Sequence, residues 1–455
     1  MIVVLGAGLS GLSAALHLQD TRDVQVFERE DRPGGLCRSV VKDGFTFDLT
    51  GHLLHLRRPE IRDLVMRLIP EERFMKIDRR AFIHSHGVLT PYPFQVNTHG
   101  LPPEVVAECV TGFFDAVLAG SVGQEEVARI SFKEWVQRTF GAGIARHFMI
   151  PYNEKLWLTD LDEVTCDWVS WSIPRPSLAE VVDGALGISR KAFGYNPTFL
   201  YPKQGGIQVL PSALAAKVRS IRCDTEIVSV DCARRVVSTR DGEELGYDRL
   251  VSTLPLPKLV SLARGLPSWM DGAAARLRHV AVMNLNLGLD RPVHPDKHWI
   301  YFPGKEYVFY RAGFPSSFTV AAAPEGCSSI YLEVAVRPGE PVDEDQLFEQ
   351  AREGLLRARL IDATDRIVTR QVFRIDPAYV IYDRQRADLL PRMHHELLER
   401  GIHSIGRYGA WYYNSMEDSI ADGRALAMEI LAADSKPAPQ ARPGGMRSLE
   451  RGEPA

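Results

Sequence analysis

The chain has 455 residues, with 54 Lys and Arg against 58 Asp and Glu for a formal net charge of −4. Apolar residues make up 45% and charged residues 25%, the ordinary make-up of a globular protein of two to four domains. The near-neutral balance argues against a mainly electrostatic partner such as duplex nucleic acid or an anionic membrane. Six cysteines (37, 109, 166, 223, 232 and 327) form no C-x-x-C, so neither a metal site nor a disulfide framework is expected.

The chain opens on Ile2-Val3-Val4-Leu5, a β-branched run suited to a buried parallel strand. It has no basic leader and is expected not to be a signal peptide. No stretch approaches the ~18 uninterrupted apolar residues of a membrane span, and a cytoplasmic protein is expected. Gly6-Ala7-Gly8-Leu9-Ser10-Gly11 follows and opens an apolar helix pattern through Leu12, Ala14, Ala15, Leu16 and Leu18. The next strand, Val24 to Phe27, ends in Glu28, twenty residues after Gly8. This is the dinucleotide-binding arrangement. Gly6 permits the tight turn, Gly8 lets the backbone approach a pyrophosphate, and Gly11 permits close helix–strand packing. The helix start at Leu9 and Ser10 presents free N–H groups to phosphate, and Glu28 can accept from ribose hydroxyls.

Beyond Glu28 the chain reads Arg29-Glu30-Asp31-Arg32-Pro33-Gly34-Gly35-Leu36-Cys37-Arg38. This second glycine pair with a trailing Arg resembles the amine-oxidase-like flavoproteins, which implies FAD rather than NAD. Gly34 and Gly35 allow close backbone approach, and Arg38 can neutralise phosphate charge.

A short hairpin over 43–48 leads into Thr50-Gly51-His52, and helical signals dominate from about 59 to 195. They include 104–118, behind Pro103, and 132–140, ending at Gly141. Trp157, Trp168 and Trp171 are expected in the core of this lid. Strand signals return over 221–230, 235–239 and 247–253, then over 282–289, 299–302 and 330–336, with a helix over 343–360. A last strand, 402–405, precedes Gly406-Arg407 and a closing helix to about Ala433. The expected fold is α/β, a Rossmann-type, glutathione-reductase-like FAD-binding domain with an inserted helical lid and an antiparallel β substrate domain. The expected boundaries are 1–58, 203–277 and 395–433 for the FAD-binding domain, 59–202 for the lid and 278–394 for the β domain. The polar segment 436–455 is expected to be a disordered tail.

Five segments carry a more specific likeness: Gly51-His52; Pro91-Tyr92-Pro93-Phe94-Gln95; Pro151-Tyr152-Asn153-Glu154-Lys155-Leu156-Trp157; Tyr301-Phe302 with Phe309-Tyr310-Arg311; and Gly406-Arg407-Tyr408-Gly409-Ala410-Trp411-Tyr412-Tyr413. Together they resemble the UDP-galactopyranose mutase family, nearer its eukaryotic than its bacterial pattern. The resemblance implies a nucleotide-diphosphate sugar as substrate, contracted from pyranose to furanose without net redox change. Reduced flavin N5 is the implied nucleophile, and NAD(P)H is the implied external reductant. It implies catalytic roles for His52, Gly51 and Arg311, and pyrophosphate contacts from Arg311, Arg407, Tyr301, Tyr379 and Tyr413. Tyr92 and Gln95 match nucleobase positions, and Tyr152, Asn153 and Trp157 match substrate positions. Gly51, His52, Gly406, Arg407, Met416, Glu417, Asp418 and Ser419 match cofactor positions, beside Gly6, Gly8, Leu9, Ser10, Gly11, Glu28, Arg29, Gly34, Gly35, Leu36 and Arg38.

Two positions depart from the family pattern: Ile150 stands where it has Arg before P-Y-N, and Ser177 stands for an Asn. The Arg-to-Ile change removes a charge and five donors from the sugar side of the site. A mutase for a modified nucleotide sugar and a FAD-dependent oxidase or desaturase with net redox chemistry are the competing expectations. A non-catalytic flavin-binding protein is the third. No heptad or apolar patch sets an oligomeric state.

Overall fold

The computed structural model describes residues 1–120, 122–166, 168, 173–188 and 197–434. Trp171 and the segment 436–455 lie outside them.

Strand Ile2–Leu5 is buried at every residue and sits at the centre of a five-stranded parallel sheet. Val24–Phe27 and then Ile221–Arg222 lie on one side of it, Arg249–Ser252 and Ile402–Ser404 on the other. Helices Leu9–Leu18 and Met416–Asp434 pack side by side and parallel. Gly423 lies so close to Ser10 that a Cβ would come within 2.3 Å of its carbonyl oxygen, and Arg22 bonds Asp434 beyond the far ends at 2.9 Å. Both helix starts therefore face the C-terminal edge of the sheet, where doubly wound folds bind their ligands.

A seven-stranded sheet forms the second layer, in the order Ile367–Val380, His279–Leu289, Ser328–Val336, Arg311–Gly313, Trp299–Tyr301, Ala81–Ser85 and Val88–Pro91. The fold is thus mixed α/β with parallel and antiparallel sheets. The expected helical segment 59–202 gives two of those strands to the substrate sheet, and it also holds Phe74–Asp78 paired with Thr198–Pro202. The local reason is the turn His86-Gly87, with φ of 53° and 74°, the pair of positive values that a two-residue hairpin requires.

The expected strand 221–230 is two strands. Asp224 turns the chain at φ 51°, so Ile221–Arg222 joins the parallel sheet while Ile227–Asp231 joins a four-stranded meander. Strand Ile367–Val380 and helix Arg384–Leu398 had no counterpart in the sequence reading. Pro391 inside that helix argues against it locally. Its exposed position leaves Leu389, Leu390, Met393 and Leu397 to bury the opposite face.

In the lid, helices Pro103–Ala119 and Phe132–Ile144 touch through Gly112, Gly141 and Gly143, where a Cβ on Gly143 would fall 2.2 Å from the Glu108 carbonyl oxygen. A single π-helical turn, Ala145–Met149, follows and leads directly into helix Ile150–Trp157. Such turns re-aim the residues after them, here the Pro151-Tyr152-Asn153 segment. No helix among the described residues is long and apolar enough to cross a membrane.

Candidate active site

The nucleotide end is built from glycine. Gly6 has φ +98°, and a Cβ there would lie 2.3 Å from the Thr253 hydroxyl. One on Gly11 would lie 2.0 Å from the Gly6 carbonyl oxygen. Gly8 and Gly35 face each other at backbone distance, and Gly406 abuts Ser10. Helix Leu9–Leu18 has no side-chain cap and no acidic residue in its first turn, so its free N–H groups and positive dipole end are available to a phosphate. Glu28 is buried; its Oε2 accepts from the Ala7 amide at 2.8 Å and its Oε1 from the Glu30 amide at 3.1 Å. The carboxylate lies at the tip of its strand with lone pairs left for ribose hydroxyls. Arg38 donates to the Gly35 carbonyl and to Glu30, and Arg29 also pairs with Glu30. One acid therefore already balances part of this positive charge. The glycine cradle, the uncapped helix and the strand-end acid together fit the dinucleotide end of FAD.

At the start of the closing helix the four expected cofactor contacts have scaffold roles for their side chains. Glu417 is buried and accepts from the backbone amides of Arg57 and Arg58. Asp418 accepts from Ser415 and pairs with Arg58, Ser419 donates to Asn414, and Met416 packs into the apolar core.

The substrate end is aromatic. Tyr92 packs on Tyr301 at 5.3 Å between ring centroids, Tyr301 on Tyr152 at 5.4 Å, and Tyr152 on Tyr310 at 6.3 Å. Leu36, from the second glycine segment, joins Tyr152, Tyr310 and Tyr379 in one cluster, which ties the nucleotide end to the substrate end. Burial pushes the phenols of Tyr152 and Tyr310 well up, and that of Tyr379 up to about 12, so all three are neutral O–H donors. Arg407 lies over Tyr413 at 4.4 Å and Tyr379 at 5.5 Å, and donates to the carbonyls of Asn414 and Ala378.

Three expected substrate residues are turned elsewhere. Gln95 is buried and its amide donates to the Pro174 carbonyl. Asn153 donates to the Met149 carbonyl and accepts from Trp157 Nε1, so both side chains brace the lid helix. Trp157 still packs on Tyr379, and with Trp168 and Phe132 it forms the aromatic core of the lid. Ser177 caps a helix through a reciprocal bond with Glu180.

Sequence reading missed Glu333. It is fully buried, accepts from Arg311 at 2.6 Å and from the Thr50 hydroxyl at 2.7 Å, and reaches the Gly51 amide at 3.5 Å. Burial would push its carboxyl up, but the Arg311 guanidinium outweighs this and holds it below the usual carboxylate range. The available signal was a lone acid in Ile330-Tyr331-Leu332-Glu333-Val334, a strand otherwise apolar on both faces. Tyr331 was missed as well; its ring occupies the place of a side chain at both Gly51 and Gly313. His52 is nine-tenths buried, and burial depresses its pKa against the opposing pull of Asp48 and Glu333.

A family model described as flavin containing amine oxidoreductase matches residues 9–431. Among solved structures the chain is similar to reduced UDP-galactopyranose mutase, with TM-score 0.89 and 27% identity, covering 96% of this chain and 94% of that one. Among curated proteins it is similar to coproporphyrinogen III oxidase of Mycobacterium leprae, 27% identical over 302 residues. It is also similar to protoporphyrinogen oxidase 2 of Arabidopsis thaliana, 25% identical over 301 residues. These matches cover 60% and 56% of this chain, and the chain spans 64% and 57% of those relatives' lengths.

Proposed function

Because the chain belongs to the flavin-containing amine oxidoreductase family, we propose that it is a FAD-dependent nucleotide-sugar mutase. In this reading it is an isomerase that contracts a UDP-galactopyranose-like or modified nucleotide hexopyranose to its furanose without net redox change. The observation that carries the reading is Arg407. Its guanidinium is bracketed by Tyr379, Tyr413 and Tyr408, gives two bonds to carbonyl oxygens, and has no carboxylate within ion-pair distance among the described residues. A partly buried guanidinium with no carboxylate partner among the described residues suits an anionic ligand. A diphosphate that departs and returns during ring contraction is such a ligand.

When bound, reduced flavin supplies the nucleophile for the anomeric carbon, with NAD(P)H as the external reductant that primes it. The protein's own groups do the rest. Arg407 holds the diphosphate with its remaining donors while the neutral Tyr379 phenol donates to the same oxygens. Tyr92 and Tyr301 offer ring faces to the base. Gly51 and His52 hold a proton at the flavin-side loop, which Thr50 and Glu333 brace. Arg311 matches the Glu333 charge and so positions this loop, leaving Arg407 as the main diphosphate cation.

Ile150 favours a second reading, a FAD oxidase or desaturase with net redox chemistry. Ile150 joins Phe148, Met149 and Leu156 in the apolar core of the lid, and the porphyrinogen oxidases named above point the same way. One experiment separates the two. The purified protein is reduced with dithionite under nitrogen and given UDP-, TDP- and GDP-hexopyranoses, and products are resolved by chromatography. Furanose formed only with reduced flavin, and without stoichiometric oxidation, supports the mutase. No furanose in that anaerobic arm, together with peroxide released in step with substrate oxidation when the oxidised holoprotein is assayed in air, overturns it.

A further inference from the structure

Behind the Gly51–His52 loop lies a small cavity of about 10 Å³ whose wall includes Asp48, His52, Tyr201, Asn286 and Tyr331. That is the least volume that holds one ordered water. Two polar nitrogens in its wall, His52 Nδ1 and Asn286 Nδ2, are buried without a well-formed hydrogen bond, although the Thr50 backbone lies near enough to the imidazole to favour its charged form. The third polar group is Asp48, the last residue of strand Phe45–Asp48. Its side chain, like that of His52, is 9% exposed, and its Oδ2 lies 4.0 Å from His52 Nδ1. The gap is too long for a direct hydrogen bond and suits a bridging water.

The bonding around Asp48 supplies donors to its carboxylate. Oδ1 accepts from the Ser39 hydroxyl at 2.6 Å and from the Ile207 amide at 3.1 Å, and Oδ2 accepts from the Tyr201 phenol at 2.8 Å. The Ser39 oxygen is itself an acceptor for the Gln208 amide, which commits its proton to Asp48. Gly206 closes the arrangement, since a Cβ there would strike Ser39 and Asp48 at 2.3 and 2.8 Å. These three donors favour the carboxylate and oppose burial, which on balance still holds the Asp48 pKa above the usual aspartate value. Among the described residues no Lys or Arg reaches it, so His52 is the nearest group able to carry a compensating charge.

We propose that Asp48 is the positioning residue for His52. Through one buried water it fixes the proton of the neutral imidazole on Nδ1 and leaves Nε2 as the nitrogen that takes up and returns a proton. The water accepts from His52 Nδ1–H and Asn286 Nδ2–H and donates to Asp48 Oδ2. The use of this device rests on the flavin reading of the Gly51–His52 loop; its test does not. The other charged or titratable groups facing His52 are Glu333 from the adjacent strand, which favours the imidazolium, and Arg407, which opposes it; the Tyr201 and Tyr331 phenols complete the wall.

The test is nitrogen-detected NMR of the FAD-loaded protein carrying ¹⁵N-histidine, with the His52 signals identified by their loss in His52→Gln. In the parent, His52 is expected as the Nδ1–H tautomer. In Asp48→Asn, the tautomer preference is lost and the midpoint of His52 titration falls by about one pH unit or more. Asp48→Glu restores part of both. Asn286→Leu, which fills the cavity and leaves the Asp48 donors intact, produces the same tautomer change and provides the test should Asp48→Asn not fold. A His52 whose tautomer and midpoint are the same in parent, Asp48→Asn and Asn286→Leu overturns the proposal. The measurement needs no substrate, so a failed mutase assay leaves it standing, and its own failure leaves the mutase reading untouched.

Discussion

Arg311 stands directly opposite Glu333 in the antiparallel register of their two strands and donates to it at 2.6 Å, with Glu333 fully buried. The pair changes how the two matching arginines are read. The resemblance gave Arg311 and Arg407 the same task, but of the two only Arg407 lacks an acidic partner, so the proposed diphosphate would meet one uncompensated charge rather than two.

Removing one member of that pair should expose its energetics. Arg311→Ala leaves Glu333 buried without its counter-charge and is expected to lose about 3–5 kcal/mol of stability, read by denaturant melts at neutral pH. Replacing both, Arg311→Met with Glu333→Leu, is expected to recover most of the loss. The folded Glu333 pKa is depressed, so the stabilisation is present above the ordinary glutamate range and is lost as pH falls through the lower folded value. A single variant as stable as the parent would show that the contact contributes nothing.

Arg407→Lys tests the diphosphate site. Lysine keeps the charge but loses the planar fork that stacks on Tyr413 and bonds Asn414 and Ala378. UDP affinity, measured by calorimetry on the oxidised holoprotein, is expected to fall about 10- to 100-fold, or roughly 1.4–2.8 kcal/mol, with flavin content unchanged. Parent-like UDP binding would assign the anion to another group.

The lid makes an independent prediction. Gly143→Ala drives a methyl to within 2.2 Å of the Glu108 carbonyl, at backbone rather than at a flexible side chain, so the two lid helices must separate. The expected cost is about 1–3 kcal/mol, seen as a lower melting temperature. A raised KM for the proposed nucleotide-sugar substrate should accompany it, because helix Ile150–Trp157 continues from this packed pair. A control outside the lid, Gly272→Ala in helix Trp269–Ala274, meets nothing within 4 Å and should leave KM in place without lowering the melting temperature.

Much of the fold was legible from residue order. The first fifty residues carry strand, glycine turn, helix and strand-end acid within one short stretch, and each signal is local. The closing strand before Gly406 and the apolar run around His279–Leu289 were legible for the same reason. Strand Ile367–Val380 was not. Its burial alternates irregularly, and the long neighbouring strand that makes it a strand lies eighty residues away in sequence. Nor did sequence reveal that Gln95 and Asn153 turn inward, because an amide side chain in a motif looks the same whether its partner is a ligand or a backbone carbonyl.

What the sequence by itself determined is the chemistry available: a glycine pattern suited to backbone approach of phosphate, tyrosines and arginines in a set of matching segments, and a net charge of −4. What only the tertiary structure decided is which of those charges are already spent on each other. Glu333 and Asp48 lie outside the residues that carry the resemblance, yet one neutralises Arg311 and the other lies behind His52. Electrostatic interaction depends on distance and burial: Arg311 meets Glu333 only through the pairing of their strands, and Asp48, though four residues from His52 in sequence, is buried only by the folded protein.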